Sequence, residues 1–588
     1  MNVVYRKELV MKRLFVVFLG CIVVLTSSSC RKSTIISPES GGNPNLANWT
    51  VLVYLGGTNN LEPLMEEDIN LLEKIGSNPK FNMVVQFSRE SVGGEAFRYL
   101  ITKDEDTKVI QSTPVSVGKV DSADYRVLKD FIIWGEQTYP ANQIALIISS
   151  HGGGWTGIVE DTVQGSFMSG TDLQKAVREA RFETNRKLDV LHIYSCLMGM
   201  WEVLYELKDE AFCIVASEIS QYNYINLDQP IKPLAEQSGV SRVEFSKALV
   251  KNFIEGYKNP PEGGQKIPQI YAAYDMLQAD KLQSAIYNMT FALIRTFPWY
   301  GDVIREIARE CPPIEAEGLY STYVDLRYFV QKINTDNRIQ EKSIKDTSAE
   351  VLKVLDQFIL EKDFSEGNVD DNPFLLNLEE ASGLSIWLPI DAFNLEVYSL
   401  YSKLDHSYDS PWISFLFALN PANAYLLPQF QIGQWSLYDS KYYTVNLPRT
   451  NAFKPVPDGE NLVFFQGTYE AKENNIRFFG GYAEMGIKVT SSVTEADAMT
   501  WSKKVEATRV PLYSFYESIS SAPINIKNQL GQIVVGGGIN KSGERVQEAH
   551  VFILRDGIGY DLYYIAERPL FSEFMDVFLQ ICNSFTLK

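Results

Sequence analysis

Short apolar runs alternate with amphipathic stretches over the first two thirds of the chain. Thr50 to Tyr54 (TVLVY), 81 to 88 (FNMVVQFS), Ile144 to Ile148 (IALII), Leu188 to Tyr194 (LDVLHIY) and Phe212 to Ser217 (FCIVAS) are bounded by small polar residues. That is the pattern of parallel strands buried on both faces. Between them Leu61 to Ile75, Tyr125 to Tyr139 and 172 to 182 (DLQKAVREARF) repeat apolar residues at helical spacing, the last with Thr171 as its expected N-cap. Strand and helix in alternation predict an α/β fold, a doubly wound, mainly parallel sheet with helices on both faces. The stretch 95 to 119 predicts a hairpin near the sheet edge, and Trp201 to Lys208 a helix packed under the second chemical motif. Stretches 241 to 257 and 279 to 360 are helical in pattern, 268 to 275 and 383 to 389 predict strands returning to the main sheet, and 410 to 419 a closing helix. From about residue 421 to 588 the texture changes to alternating strand-like runs ending in an amphipathic segment, which predicts a C-terminal α+β accessory domain.

Two of the apolar runs end on reactive side chains. IALII leads into Ser149, Ser150 and His151, and LDVLHIY into Ser195 and Cys196. A right-handed strand, helix, strand unit places both residues at the carboxyl edge of the sheet, where open α/β sheets build their sites. A thiol with an imidazole beside it makes a nucleophile, because the imidazole takes the thiol proton and returns it to a leaving amine. Gly152, Gly153 and Gly154 permit backbone conformations closed to other residues, so an N–H of this run can point at a developing oxyanion alongside that of Cys196. The alternative is structural: an isolated buried Cys is usually a small hydrophobe. His192 lies inside its strand with parity opposite to residues 191 and 193 and reads as structural. No H-E-x-x-H or clustered ligand spacing supports a catalytic metal.

His151 to Trp155 (HGGGW) and Tyr194 to Gly199 (YSCLMG) resemble the histidine and cysteine boxes of the clostripain-like cysteine peptidases, relatives of caspases, gingipains and legumain. Val53 to Glu62 (VYLGGTNNLE) is similar to the family's first strand and turn, and Gly383 to Pro389 (GLSIWLP) to its late core strand. The resemblance covers about residues 49 to 420, with helical insertions near 279 to 375. It implies a caspase-like fold, endopeptidase activity on protein or peptide substrates, Cys196 as nucleophile, His151 as base and acid, and an oxyanion hole from the backbone of Gly152 and Cys196. Family members that cut after Arg or Lys carry Asp two residues before the nucleophile. Here that residue is Tyr194, which weakens the expectation of a basic P1 residue. Thr58 stands where Asp usually precedes Asn-Asn. Other substrate-binding candidates, on loops after the relevant strands, are Asp161, Glu218 and Asp228. No cofactor is required. Calcium dependence occurs among relatives, but no calcium-loop motif is present.

Charge and the ends of the chain add an address. The formal net charge of −19 argues against nucleic acid as a partner. Lys12 and Arg13, the apolar run Leu14 to Leu25 and the small residues before Cys30 have the layout of a secretory signal (1 to 29). It resembles a bacterial lipoprotein signal, with lipid on Cys30, a tether over 30 to 48 and an exported, membrane-anchored product; Ser27 stands where Leu is more usual. The alternative is an ordinary signal peptide. Cys196, Cys213, Cys311 and Cys582 lack metal-like or tight disulfide spacing. The reading from another class is a catalytically silent surface lipoprotein that uses the fold to bind protein or glycan.

Overall fold

The computed structural model describes residues 43–588 except 107, 222–226, 238, 261–265, 316–320, 368–375, 392–396, 398–399, 421–434, 449–454, 474–475, 528, 542 and 568–577. The signal segment, Cys30 and the start of the tether therefore lie outside the described residues. Those described fall into two compact units, one within Ile35–Ala424 and the other within Tyr425–Lys588.

The first unit is built on a nine-stranded sheet. In chain order its strands are β1 (Ala47–Gly57), β2 (Phe81–Arg89), β3 (Glu95–Leu100), β4 (Val115–Lys119), β5 (Ala141–Ser149), β8 (Leu188–Tyr194), β9 (Ala211–Ser217), β10 (Gln269–Asp275) and β12 (Ile359–Ser365). Two short pairs complete the set, β6 (Ile158–Asp161) with β7 (Ser166–Met168) and β11 (Tyr323–Asp325) with β13 (Ser385–Trp387). The order across the sheet is β12-β10-β9-β8-β5-β1-β2-β3-β4. β9, β8, β5, β1 and β2 are parallel, and antiparallel strands flank them on both sides. The expected edge hairpin is β3 with β4.

Both faces of the parallel strands are covered, which is why their sequences are continuously apolar. On one face Val51, Val53, Leu55, Ala145, Ile147 and Val190 pack with Met65 and Ile69 of the Glu62–Glu73 helix and Leu249 and Phe253 of the Arg242–Lys258 helix. On the other, Tyr54 meets Phe131 of the Tyr125–Thr138 helix at 5.9 Å between ring centroids, and Leu52 lies against Gly135. Each fully buried Leu, Ile or Phe contributes roughly 1.5–3 kcal/mol.

Three local expectations need correction. β13 pairs with β11 and bridges Met200 through Ser385, so it does not join the main sheet. A three-residue strand has too few ladder positions for its apolar pattern to reveal its partner. The helix after β7 runs over Gly170–Thr184 and is capped by Ser169, which accepts from Asp172 N, so Thr171 lies inside it. β12 falls at the end of the stretch read as helical; it is half-buried and polar, as an edge strand can be.

The second unit holds a seven-stranded antiparallel sheet in which Arg545–Arg555 lies between Gln529–Asn540 and Ile558–Glu567. The Ala498–Arg509 helix packs Trp501 on Phe552 and Val534. Of the expected terminal amphipathic segment, residues 571–577 lie outside the described residues, and 578–584 are helical.

Candidate active site

β5 and β8 are neighbours in the sheet, with Ser149 opposite Tyr194. His151 and Cys196 each follow two residues beyond that pair, on the same edge. Gly152 brings the two turns into contact: a Cβ there would stand 2.6 Å from Cys196 O and 3.2 Å from Cys196 N, so only glycine fits. Leu197, after the thiol, has φ of 66°, and Val159, beside the histidine turn, has φ of 62°. Left-handed backbone at a branched residue is costly and is held by its surroundings. Here Leu197 N donates to Ile219 O, and Val159 N to His151 O.

Among the described residues neither Gly152 N–H nor Cys196 N–H donates to another residue. Gly152 N–H is thus open beside the sulfur, while Cys196 N–H is directed to its own thiol. Cys196 is half-buried and free. Burial pushes its thiol up, the backbone N–H of Gln221 pulls it down from 3.2 Å, and the Glu315 carboxylate adds to the rise. Glu315 also accepts from Ser220 N at 2.9 Å, which fixes the segment carrying Gln221.

The His151 side chain is 36% exposed. Its Nε2 lies 2.7 Å from Asn60 Oδ1 and 3.8 Å from Glu160 Oε2. Asn60 belongs to the turn after β1, within the stretch VYLGGTNNLE, and nothing in the sequence alone assigned it a role. Its neighbour Asn59 ties that turn to the histidine loop. Asn59 Nδ2 donates to Gly56 O, Ser150 Oγ and Glu160 O, and Asn59 Oδ1 accepts from Leu61 N. The rest of the HGGGW loop is pinned from the other side. Tyr323 Oη donates to Gly153 O at 2.9 Å, and Trp155 packs on Trp387 and Tyr401.

The remaining candidates do not gather around the thiol as open carboxylates. Asp161 has no exposed surface; its oxygens accept from Ser122 N and Oγ and from Gln164 N, so it staples a loop. Ser122 Oγ in turn meets Thr58 Oγ1, so Thr58 is part of the same buried chain. Glu218 is fully buried, and burial followed by the neighbouring Asp325 charge holds its carboxyl well above the usual range. Both are therefore corrected from surface carboxylates to internal ones. Asp228 is buried in the first turn of the Asp228–Glu236 helix and accepts from Gln229 Nε2. Tyr194 packs against Phe253 at 5.5 Å and stacks with His192 at 5.9 Å. Burial pushes Tyr194 Oη well up, with Asp68 as the next cause. His192 is fully buried and pushed down to about 3 by burial, which fits a structural role. Among the described residues no group of three or more His, Cys, Asp and Glu side chains is placed to hold a metal ion.

Comparison with known proteins gives this arrangement its context. Residues 53–435 match the model of the clostripain family, Peptidase C11. The chain belongs to the clostripain family of cysteine peptidases. Clostripain from Hathewaya histolytica is 22% identical over 456 residues, covering 66% of this chain and 84% of that protein. A secreted C11 cysteine protease from Bacteroides thetaiotaomicron, solved with an irreversible peptide inhibitor, is 16% identical with a TM-score of 0.47, covering 62% of this chain and 99% of that one. An inactive zymogen C11 protease from Parabacteroides distasonis is 17% identical with a TM-score of 0.47, over the same shares. Membership of the clostripain family makes protein or peptide the substrate class. Among the described residues no helix is long and apolar enough to cross a membrane.

Proposed function

We propose that this clostripain-family peptidase cuts internal peptide bonds with Cys196 as nucleophile and His151 as base and acid. The observation that carries the reading is the junction of the two loops, where Gly152 abuts Cys196 and, among the described residues, neither N–H group donates to another residue. The thiol is pushed up rather than preformed as a thiolate, so its proton must pass to a base as the sulfur attacks the scissile carbonyl carbon. The imidazole takes it. The oxyanion that forms accepts from Gly152 N–H and Cys196 N–H. Collapse breaks the C–N bond, the imidazolium protonates the leaving amine, and a thioester remains on Cys196. Water, deprotonated by His151, then attacks the thioester and releases the acid and the thiol. These steps need no cofactor, and calcium, on which some relatives depend, is tested by cleavage with and without a chelator.

Tyr194, closed into an aromatic cluster where basic-specific relatives carry Asp, supports a P1 preference not confined to Arg and Lys. Lys12, Arg13, the apolar run and the small residues ahead of Cys30 support export and lipid anchoring at Cys30. Replacing Cys30 by Ser moves the protein out of the membrane fraction; unchanged partitioning would remove the anchor.

The test of function is mass-spectrometric profiling of a diverse peptide mixture with residues 31–588, beside Cys196→Ala. Cleavage by the parent alone, at sites not restricted to Arg or Lys, is expected. Strict Arg or Lys at P1 overturns the specificity reading. Equal cleavage by both proteins, or none by either, overturns the catalytic one, and the latter outcome favours a binding lipoprotein.

A further inference from the structure

We propose that Asn60 is the positioning residue of the His151 imidazole, fixing Nε2 as the protonated nitrogen so that Nδ1 keeps its lone pair for the Cys196 proton. This rests on the catalytic pair proposed above. The side-chain oxygen of an amide only accepts, so the 2.7 Å contact between Asn60 Oδ1 and His151 Nε2 requires Nε2 to donate. A neutral imidazole carries one hydrogen, and the other nitrogen is then the base.

The position of Asn60 is built rather than incidental. Asn59, the residue before it, is buried and makes bonds of 2.9 Å to Gly56 O, 3.2 Å to Ser150 Oγ and 2.8 Å to Glu160 O. Ser150 Oγ donates to Gly56 O at 2.9 Å, and the residue after Ser150 is His151 itself. The turn that presents Asn60 and the loop that presents His151 are therefore one hydrogen-bonded piece. Leu61 N, bonded to Asn59 Oδ1, then leads into the Glu62–Glu73 helix.

An amide suits this place better than a carboxylate. A carboxylate would favour the imidazolium, whereas a thiol pushed up by burial needs a neutral base. The charged groups around the ring do not replace Asn60. Glu160, on β6, lies 3.8 Å from Nε2, beyond hydrogen-bond length, and its side chain is 45% exposed. Glu315 acts on the Cys196 thiol and accepts from Ser220 N. Glu62, on the adjoining helix, is held by Arg89 and Ser91.

The test compares Asn60→Ala, Asn60→Asp and Glu160→Gln with the parent, all as residues 31–588, by kcat and KM against pH and by nitrogen-15 NMR of the histidine rings, with His151→Ala to assign the signal. Asn60→Ala is expected to lower kcat about ten- to a hundredfold, part of what general acid–base catalysis supplies, with KM within about twofold. Asn60→Asp is expected to recover most of that kcat while moving the acid limb of the profile to higher pH. Glu160→Gln should stay within about twofold. The parent ring should carry its hydrogen on Nε2, and Asn60→Ala should show a mixture of tautomers. An Nδ1-protonated parent ring, or a tautomer and pH profile unchanged in Asn60→Ala, overturns the proposal. The NMR result decides the point even where Cys196→Ala cleaves like the parent, the outcome that sinks the catalytic reading instead.

Discussion

His151 and His550 each have a polar partner within hydrogen-bonding distance, Asn60 Oδ1 at 2.7 Å in one case and Asp561 Oδ1 at 2.8 Å in the other. Each unit also holds a free cysteine with a raised thiol, Cys196 in the first and Cys582 in the second. The surroundings differ in every respect that matters for chemistry. His550, Glu548 and Asp561 are all buried, and Glu548 is further tied to Arg509 and to Tyr513 Oη. Cys582 is buried too, and after burial itself the next influence on it is the Asp561 charge, which opposes a thiolate. At Cys196 the next influence is an N–H from Gln221, which favours one. His151 is partly exposed, its partner is uncharged, and among the described residues neither Gly152 N–H nor Cys196 N–H donates to another residue. A histidine beside an acid and a thiol in the same unit are thus not enough. A reactive site also needs access and an N–H left open for a developing charge.

Substitutions sharpen that contrast in a definite order. Replacing Cys196 or His151 by Ala should lower kcat/KM by about a thousandfold or more, the scale of a lost nucleophile or base. His550→Ala should leave kcat/KM within about twofold. If His550→Ala were as damaging as His151→Ala, the comparison would be broken. Gly152→Ala puts a methyl group 2.6 Å from Cys196 O, and displacement of one oxyanion donor should cost about a hundred- to a thousandfold in kcat, with a lowered melting temperature because the backbone there must shift. Steady-state kinetics beside calorimetry separate this from unfolding.

Smaller effects fall on stability. His550→Ala leaves the buried Asp561 carboxyl without its donor and should destabilise the second unit by about 1–3 kcal/mol, read by urea unfolding. Glu202 gives a pH signature in the first unit. Burial raises its carboxyl from 4.5 to about 7, against the downward pull of bonds from Tyr401 Oη and Trp387 N. The folded protein therefore holds that proton more tightly than the unfolded chain. The contribution is full below about 4.5 and is lost as pH rises through about 7. Glu202→Gln should flatten the fall in melting temperature over that window, and an unchanged slope would count against the assignment.

Much of the first unit was legible because its signals are local. IALII and LDVLHIY are buried on both faces, so they read as strands, and each reactive residue lies just past a strand end. What escaped is what depends on distant partners. Asp161 and Glu218 read as loop carboxylates placed for substrate, since nothing adjacent in sequence announces Ser122 or Asp325. Asn59 and Asn60 carried a resemblance but no role, because their partners Ser150, Glu160 and His151 come from another strand's loop. The β11 and β13 pair is too short to show a periodicity. In the second unit, the strands are visible as alternation, while the closed network around Glu548 appears only once three strands and a helix are assembled.

The most direct measurement is peptide mapping after treatment with a peptidyl acyloxymethyl ketone, an electrophile that a substrate-binding thiolate captures. The account predicts one adduct, on Cys196, absent in His151→Ala, with Cys213, Cys311 and Cys582 unmodified in both. Modification of any of those three, or an adduct on Cys196 that forms equally fast without His151, would contradict it.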